Sequence, residues 1–252
     1  MRLIRKWLRA GVLEENGSVL HPATGTPQGG IVSPVLANIY LHYVLDLWLE
    51  RVVRKENRGQ MVYLRYADDF VVGFEREEDA RACFGQLPER LGKFGLTLAA
   101  DKSGIHRFER RSGSHSKRFA FLGFDFYWSR TREGKPTLRR RTNAKKFRRS
   151  LAELKEWLQG HRHERLRIVA IKLRQCLQGH YNHYGVIGNA TRLGTYWLAV
   201  QKLCFRWMNR RSQRRSYNWT GFRDLWQSLC LPPPRIVEKQ YVPPGTIPCF
   251  SF

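Results

Sequence analysis

Apolar side chains at positions 35, 36, 39, 40, 43, 44, 47 and 48 recur every three to four residues, which predicts a helix ending near Lys55. Ser33-Pro34 suits its start, as a capping hydroxyl followed by proline at the first helical position. Upstream, Leu3, Ile4, Trp7 and Leu8 follow helical spacing up to Gly11, and Val12–Leu13 with Val19–Leu20 flank Asn16-Gly17, a hairpin signal. The period changes at 61–74, where Met-Val-Tyr-Leu-Arg-Tyr, Ala-Asp-Asp and Phe-Val-Val-Gly-Phe predict a second hairpin whose turn carries Asp68 and Asp69. Residues 76–94 predict a helix, acidic in its first turn and stopped at Gly95, with a kink or short break at Pro88. A short strand is expected at 96–99 and a longer aromatic one at 119–128.

Beyond about residue 140 the pattern is helical. Asn143, or Thr142 before it, is placed to cap a helix whose apolar side holds Phe147, Leu151, Leu154 and Leu158. Further helices are expected near 164–183, 190–210 and 220–230, punctuated by glycines and ended by Pro232-Pro233-Pro234. The fold class is therefore α+β: a sheet-and-helix part over 1–130 and a basic helical part over 131–252.

At 252 residues, 42% of them apolar, the chain is rich enough for a packed core. It has no uncharged apolar run of about 18 residues and no secretory h-region. Five cysteines without a CxxC pair suit reduced thiols, so a cytoplasmic setting is expected. Charge then divides the chain. Residues 1–101 hold 13 basic and 13 acidic side chains, whereas 102–252 hold 32 against 8, the whole of the +24 excess. Solubility asks for a net charge of only about 2 to 8. A basic half interleaved with Trp, Tyr and Phe suits phosphate contacts and base stacking, so nucleic acid is the expected partner, and no membrane is.

Tyr66-Ala67-Asp68-Asp69 is the sharpest chemical feature. Adjacent carboxylates repel, more so if flanking apolar strands desolvate them, and a hard cation such as Mg²⁺ relieves the repulsion. An exposed Asp-Asp turn is the plainer alternative, because Asp favours turns. Seven cations in eleven residues follow later: Arg139, Arg140, Arg141, Lys145, Lys146, Arg148 and Arg149. On a helix they would cover several faces and neutralise several phosphates. Cys176, His180 and His183 share a helical stretch, but three possible ligands without a fourth argue against zinc.

In order, Thr26-Pro27-Gln28-Gly29-Gly30 with Ser33-Pro34, Tyr66-Ala67-Asp68-Asp69, Lys102-Ser103, Phe121-Leu122-Gly123-Phe124, Gly179 to Gly185, and Arg210-Arg211-Ser212-Gln213 form a series. It resembles the reverse transcriptases encoded by bacterial group II introns, which also act as maturases. The resemblance implies an incomplete right-hand polymerase palm, an antiparallel sheet with helices, followed by an all-α thumb and maturase region. It makes Asp68 and Asp69 catalytic carboxylates binding Mg²⁺. Pro27, Gln28, Gly29 and Lys102 would contact template and nucleotide, and Phe121, Leu122, Gly123 and Phe124 would support the primer. The cationic run, with Tyr181, His183, Tyr184, Arg210 and Arg211, would bind RNA, and Asn189 belongs to the same expected surface.

Two departures accompany the resemblance. Ser103 stands where the family usually has Thr, and the palm strand carrying a further catalytic Asp would precede residues 1–20. Asp46, Asp101 and Asp125 lack its context. The expectation is a chain lacking one catalytic carboxylate and inactive by itself, whose partners are intron or template RNA, a DNA primer, deoxynucleoside triphosphates, and a second copy or a complementing N-terminal fragment. The alternative is a non-catalytic RNA-binding splicing factor. No HNH-like cluster is present, so no endonuclease is expected.

Overall fold

In the computed structural model, the residues described are 6, 12–13, 19–20, 32–109, 118–211 and 216–238. The chain forms two compact units, 1–107 and 108–252. Antiparallel sheets and helices make it an α+β protein, as the sequence pattern predicts. The boundary falls before the aromatic strands, so these belong with the basic unit.

In the first unit, β1 (Val12–Leu13) pairs antiparallel to β2 (Val19–Leu20). A helical rod over 33–56 follows, but it is not a uniform α-helix. It begins as α1 (Ser33–Leu41) and widens into π-helical turns at His42–Asp46 and Leu49–Val53. Val44, Leu45, Trp48, Leu49 and Val53 are buried along it. Pro34 sits in the first turn as expected, but the Ser33 side chain is not the cap, because the helix already begins there and Val32 precedes it.

β3 (Met61–Tyr66) and β4 (Asp69–Phe74) form an antiparallel hairpin, in register from Met61 opposite Phe74 to Tyr66 opposite Asp69. Strand alternation turns Met61, Tyr63, Phe70, Val72 and Phe74 onto the rod, leaving Val62, Leu64 and Tyr66 exposed. α2 (Glu77–Gly92) closes this core with Cys83, Leu87 and Leu91. Pro88 does not break α2, which runs through it from Glu77 to Gly92. It lies on the exposed side, where water can take the hydrogen bond that its missing N–H forgoes.

The strand expected at 96–99 is not formed. Those residues complete the end of α2 instead: Gly95 takes φ 67°, its N–H bonds the Gly92 carbonyl, and the Leu96 N–H reaches back to Leu91. Leu96 then packs on the core beside Leu91. This αL closure with its apolar contact takes up the Leu96 N–H at the start of the expected strand.

The second unit begins with a three-stranded antiparallel sheet of β5 (Phe119–Phe121), β6 (Phe124–Arg130) and β7 (Pro136–Thr142), in the order β5-β6-β7. The single aromatic strand expected at 119–128 is thus a hairpin, folded at Leu122-Gly123. Both turn residues have positive φ, 49° and 82°, matching the right-handed twist of the strands they join.

Four helices follow near their predicted positions: α3 (Ala144–Gly160), α4 (Leu166–Tyr184), α5 (Ala190–Met208) and α6 (Trp219–Ser228). Asn143 is the cap of α3, accepting from the Lys145 and Lys146 N–H groups. Leu154, Leu158, Val169, Leu173, Leu177, Leu193, Tyr196, Val200 and Phe222 form a continuous core among these helices. The stretch after α6 ties back to α4, with the N–H groups of Val237 and Glu238 both donating to the Gly185 carbonyl. Gly185 is required there, because a Cβ would lie 2.3 Å from the Tyr181 carbonyl oxygen.

Candidate functional site

The hairpin tip of the first unit is a two-residue turn, Ala67-Asp68, and Asp69 is the first residue of β4. Ala67 holds φ at 54°, a left-handed conformation that costs a residue with a Cβ about 1–2 kcal/mol. Asp68 and Asp69 are adjacent and exposed rather than desolvated by their strands. Their side chains enter no salt bridge with the described residues. Two neighbouring carboxylates open to solvent are hard oxygen donors, which fits a divalent cation as far as two ligands go. Among the described residues, no group of three or more His, Cys, Asp or Glu side chains is assembled to hold a metal.

Behind the tip lies an ionic network that the pattern of the strand does not predict. Arg65, on the inward face of β3, donates from Nε and Nη2 to the two carboxylate oxygens of Asp46, each at 2.7 Å. Its Nη1 donates to Asn38 Oδ1 at 2.7 Å and to the Ala67 carbonyl at 2.9 Å. Tyr63 donates its hydroxyl to Asp46, and His42 approaches the other oxygen. The side chains of Arg65 and Asp46 are only 12% and 19% exposed. The Arg65 hydrogen bonds hold the Asp46 carboxyl down at about 2, against the opposing effect of burial. Burial and the Asp46 contact push the Tyr63 phenol well above its usual range, keeping it a donor. Asp46, which lacks the sequence context of a catalytic carboxylate, is therefore fully engaged in an internal ion pair.

The other expected residues of this unit are less assembled. Lys102 is exposed in a turn where its N–H bonds the Ala99 carbonyl. Pro27, Gln28 and Gly29 lie outside the described residues, as do Thr26 and Gly30.

In the second unit, residue groups that are far apart in sequence come together. The Phe124 ring meets His183 at 5.8 Å and Tyr184 at 5.3 Å between centroids, with the Arg140 guanidinium 6.0 Å from its face. Gly123 permits this approach: a Cβ there would stand 3.2 Å from the Tyr184 hydroxyl. Phe121 and Phe124 are buried, while Leu122 and Gly123 are half-buried in the turn. Tyr181 and Asn189 are also buried, so neither presents its side chain to a ligand. Tyr181 packs in the helical core, and Asn189 bonds Thr142 and the Tyr184 carbonyl. His180 stacks flat on Tyr196 at 3.6 Å, and burial lowers its pKa to about 4.

The seven cations do not share one helix. Arg139, Arg140 and Arg141 lie on β7, where alternation sends the middle one to the opposite face. Arg140 pairs with Glu238, and Arg141 leans on Tyr127 and toward Asp125. Lys145, Lys146, Arg148 and Arg149 occupy the first two turns of α3, all exposed. Arg210, just past α5, covers the face of Trp207, and Arg211 is half-buried beside it. Cations at the positive end of a helix oppose its dipole, and the first turn of α3 has no acidic residue. A bound polyanion would turn that cost into attraction.

Comparison with known proteins adds a second line of observation. A family model described as reverse transcriptase (RNA-dependent DNA polymerase) matches residues 1–126. The group II intron-encoded protein LtrA of Lactococcus lactis subsp. cremoris is 25% identical over 287 residues, covering 81% of this chain and 46% of that protein. Two Saccharomyces cerevisiae proteins also align. The putative COX1/OXI3 intron 1 protein is 27% identical over 150 residues, covering 41% of this chain and 18% of its own length. The putative COX1/OXI3 intron 2 protein is 44% identical over 177 residues, covering 50% and 20%. The chain thus spans less than half the length of each of these relatives.

Proposed function

The chain belongs to the reverse transcriptase (RNA-dependent DNA polymerase) family, and from that premise we propose that it forms the later palm, thumb and maturase parts of an intron-encoded enzyme. The observation that carries this reading is the exposed Asp68-Asp69 pair on a braced hairpin tip, in a chain whose other unit bears exposed cations. Asp68 and Asp69 would hold Mg²⁺, which when bound lowers the pKa of a primer hydroxyl and stabilises the leaving pyrophosphate oxygens. Lys102, with Pro27, Gln28 and Gly29, would meet the nucleotide and template, and the Phe121–Phe124 turn would support the primer. The exposed side chains of α3 and β7 would grip RNA through its phosphates, and those of Arg210 and His183 would extend that contact.

Two carboxylates alone make an incomplete clamp for an ion that demands near-ideal octahedral geometry. The 252 residues by themselves are therefore expected to incorporate no nucleotide. Primer extension on an RNA template with Mg²⁺ tests both levels of the proposal. A complete reading frame containing this chain should extend the primer, and its failure would sink the polymerase assignment. Extension by the 252 residues alone, lost on Asp68→Asn, would show that the remaining ligand lies within them.

A second reading, a splicing factor that binds intron RNA without polymerising, rests on the cations at the positive end of α3. Filter binding across a salt series separates it. Steep salt dependence together with an inactive complete reading frame would favour it, and weak binding with a flat slope would exclude it.

A further inference from the structure

In the first unit, the Arg65 side chain joins the rod to the turn of the hairpin. Among the described residues, Arg65 bonds at once to the rod and to the turn that presents Asp68: four of its hydrogen bonds go to Asp46 and Asn38, and a fifth goes to the Ala67 carbonyl. A two-residue turn led by a non-glycine residue at positive φ is not the lowest-energy path for this sequence. The Arg65 Nη1–H bond to the Ala67 carbonyl holds it, while Nε and Nη2 are anchored on Asp46. The geometry points to Arg65, fixed by Asp46 and Asn38, as a positioning residue that orients the Asp68-Asp69 carboxylates toward the divalent ion; this rests on the metal reading above.

The arrangement has a second consequence. Arg65 lies three residues before Asp68, so an Arg65 freed from Asp46 would be a cation close to two unpaired carboxylates. Pairing with Asp46 satisfies that charge on the inner face and leaves Asp68 and Asp69 open. Loss of Asp46 would therefore harm metal binding twice, by loosening the turn and by supplying a competitor for its ligands. Asn38 contributes only the first effect. It is exposed on α1, so Asn38→Ala tests the brace with little threat to folding.

The test uses the 252-residue chain with Mn²⁺ as probe. The readouts are amide hydrogen exchange at 66–69, paramagnetic broadening of the Asp68 and Asp69 resonances, and the urea midpoint. Arg65→Lys keeps the charge but loses the fork; it should speed exchange at the tip and weaken Mn²⁺ broadening about tenfold each, with the urea midpoint nearly unchanged. Asn38→Ala should shift both in the same direction by about threefold. Asp46→Asn should weaken Mn²⁺ more than Arg65→Lys does, and adding Arg65→Gln to it should recover part of that loss. Clear broadening in the unaltered chain, with Arg65→Lys and Asn38→Ala indistinguishable from it, would overturn the inference and leave the metal reading intact. Faster tip exchange in the variants, without broadening in any chain, would uphold the brace and overturn the metal reading.

Discussion

The two units carry charge in opposite ways. The first holds 15 basic and 13 acidic side chains, close to balance, and pairs several of them locally, through Arg65 with Asp46, Arg54 with Glu50, Arg81 with Glu77 and Lys93 with Glu89. Against that quiet background, Asp68 and Asp69 stand out as a small, sharply placed negative site. The second unit holds 30 basic against 8 acidic side chains, so its cations cannot all find internal partners. Arg140 and Arg149 are paired, whereas Lys145, Lys146 and Arg148 form no salt bridge with the described residues. A local imbalance suits one ion at one point; a distributed excess suits a polymer of phosphates.

The strongest way to break this contrast is Asp68→Asn in the complete reading frame. Nucleotide incorporation should fall at least about 1,000-fold, with filter binding of RNA unchanged. Parallel loss of binding would mean that the acidic tip and the cationic unit are not separable. Replacing Lys145, Lys146, Arg148 and Arg149 with glutamine should do the reverse. The slope of log affinity against log salt should flatten by about 3, or about 60-fold across a fourfold range of salt. An unchanged slope would make those cations a solvated face.

A third measurement sharpens the comparison at the level of stability. Burial holds the His180 pKa down at about 4, against an ordinary value of 6.5. Between those limits the unfolded chain binds the extra proton and the folded one does not, so stability is full above about pH 6.5 and declines toward pH 4. The loss should reach roughly 2–3 kcal/mol in urea unfolding of the second unit. His180→Phe keeps a ring against Tyr196 and should flatten the decline; an equally steep decline in that variant would assign the effect to other groups. The smallest effect expected is that of Asn143→Ala, which removes the cap of α3 and should lower the urea midpoint by the equivalent of about 1 kcal/mol. No change would mean that the bonds to Lys145 and Lys146 contribute nothing net.

Where the sequence was a good guide, one periodicity and one local signal agreed. Asn143 with the apolar spacing of 147–158 marks α3, and the β-formers around Ala67-Asp68 mark the β3–β4 hairpin. It misled where the deciding bond was not local in pattern. The stretch 96–99 has strand composition, but the Leu96 N–H is captured by α2, and Pro88 survives in a helix because its exposed side can lean on water. The arginines at 139–141 look continuous with the lysines that follow, yet a strand ends and a helix starts between them. In the candidate site, the acidic tip was legible as a motif, whereas its brace was not. A charged residue at an inward strand position was the available clue to Arg65, but its partner Asp46 is 19 residues away on another element. The meeting of Phe124 with His183 and Tyr184 was equally hidden, since those residues lie on different elements.

The two wide turns in the rod make its length, and not only its composition, part of the design. An α-helix advances about 100° per residue and a π-helical turn less, so winding His42–Asp46 as ordinary α-helix with no residue removed would rotate everything upstream of it relative to Leu49 and Val53. Asn38 would then swing away from Arg65 while the buried leucine and valine further along kept their seats. The rod would still be a helix and the core would still close, but the arginine's two anchors would no longer face it together.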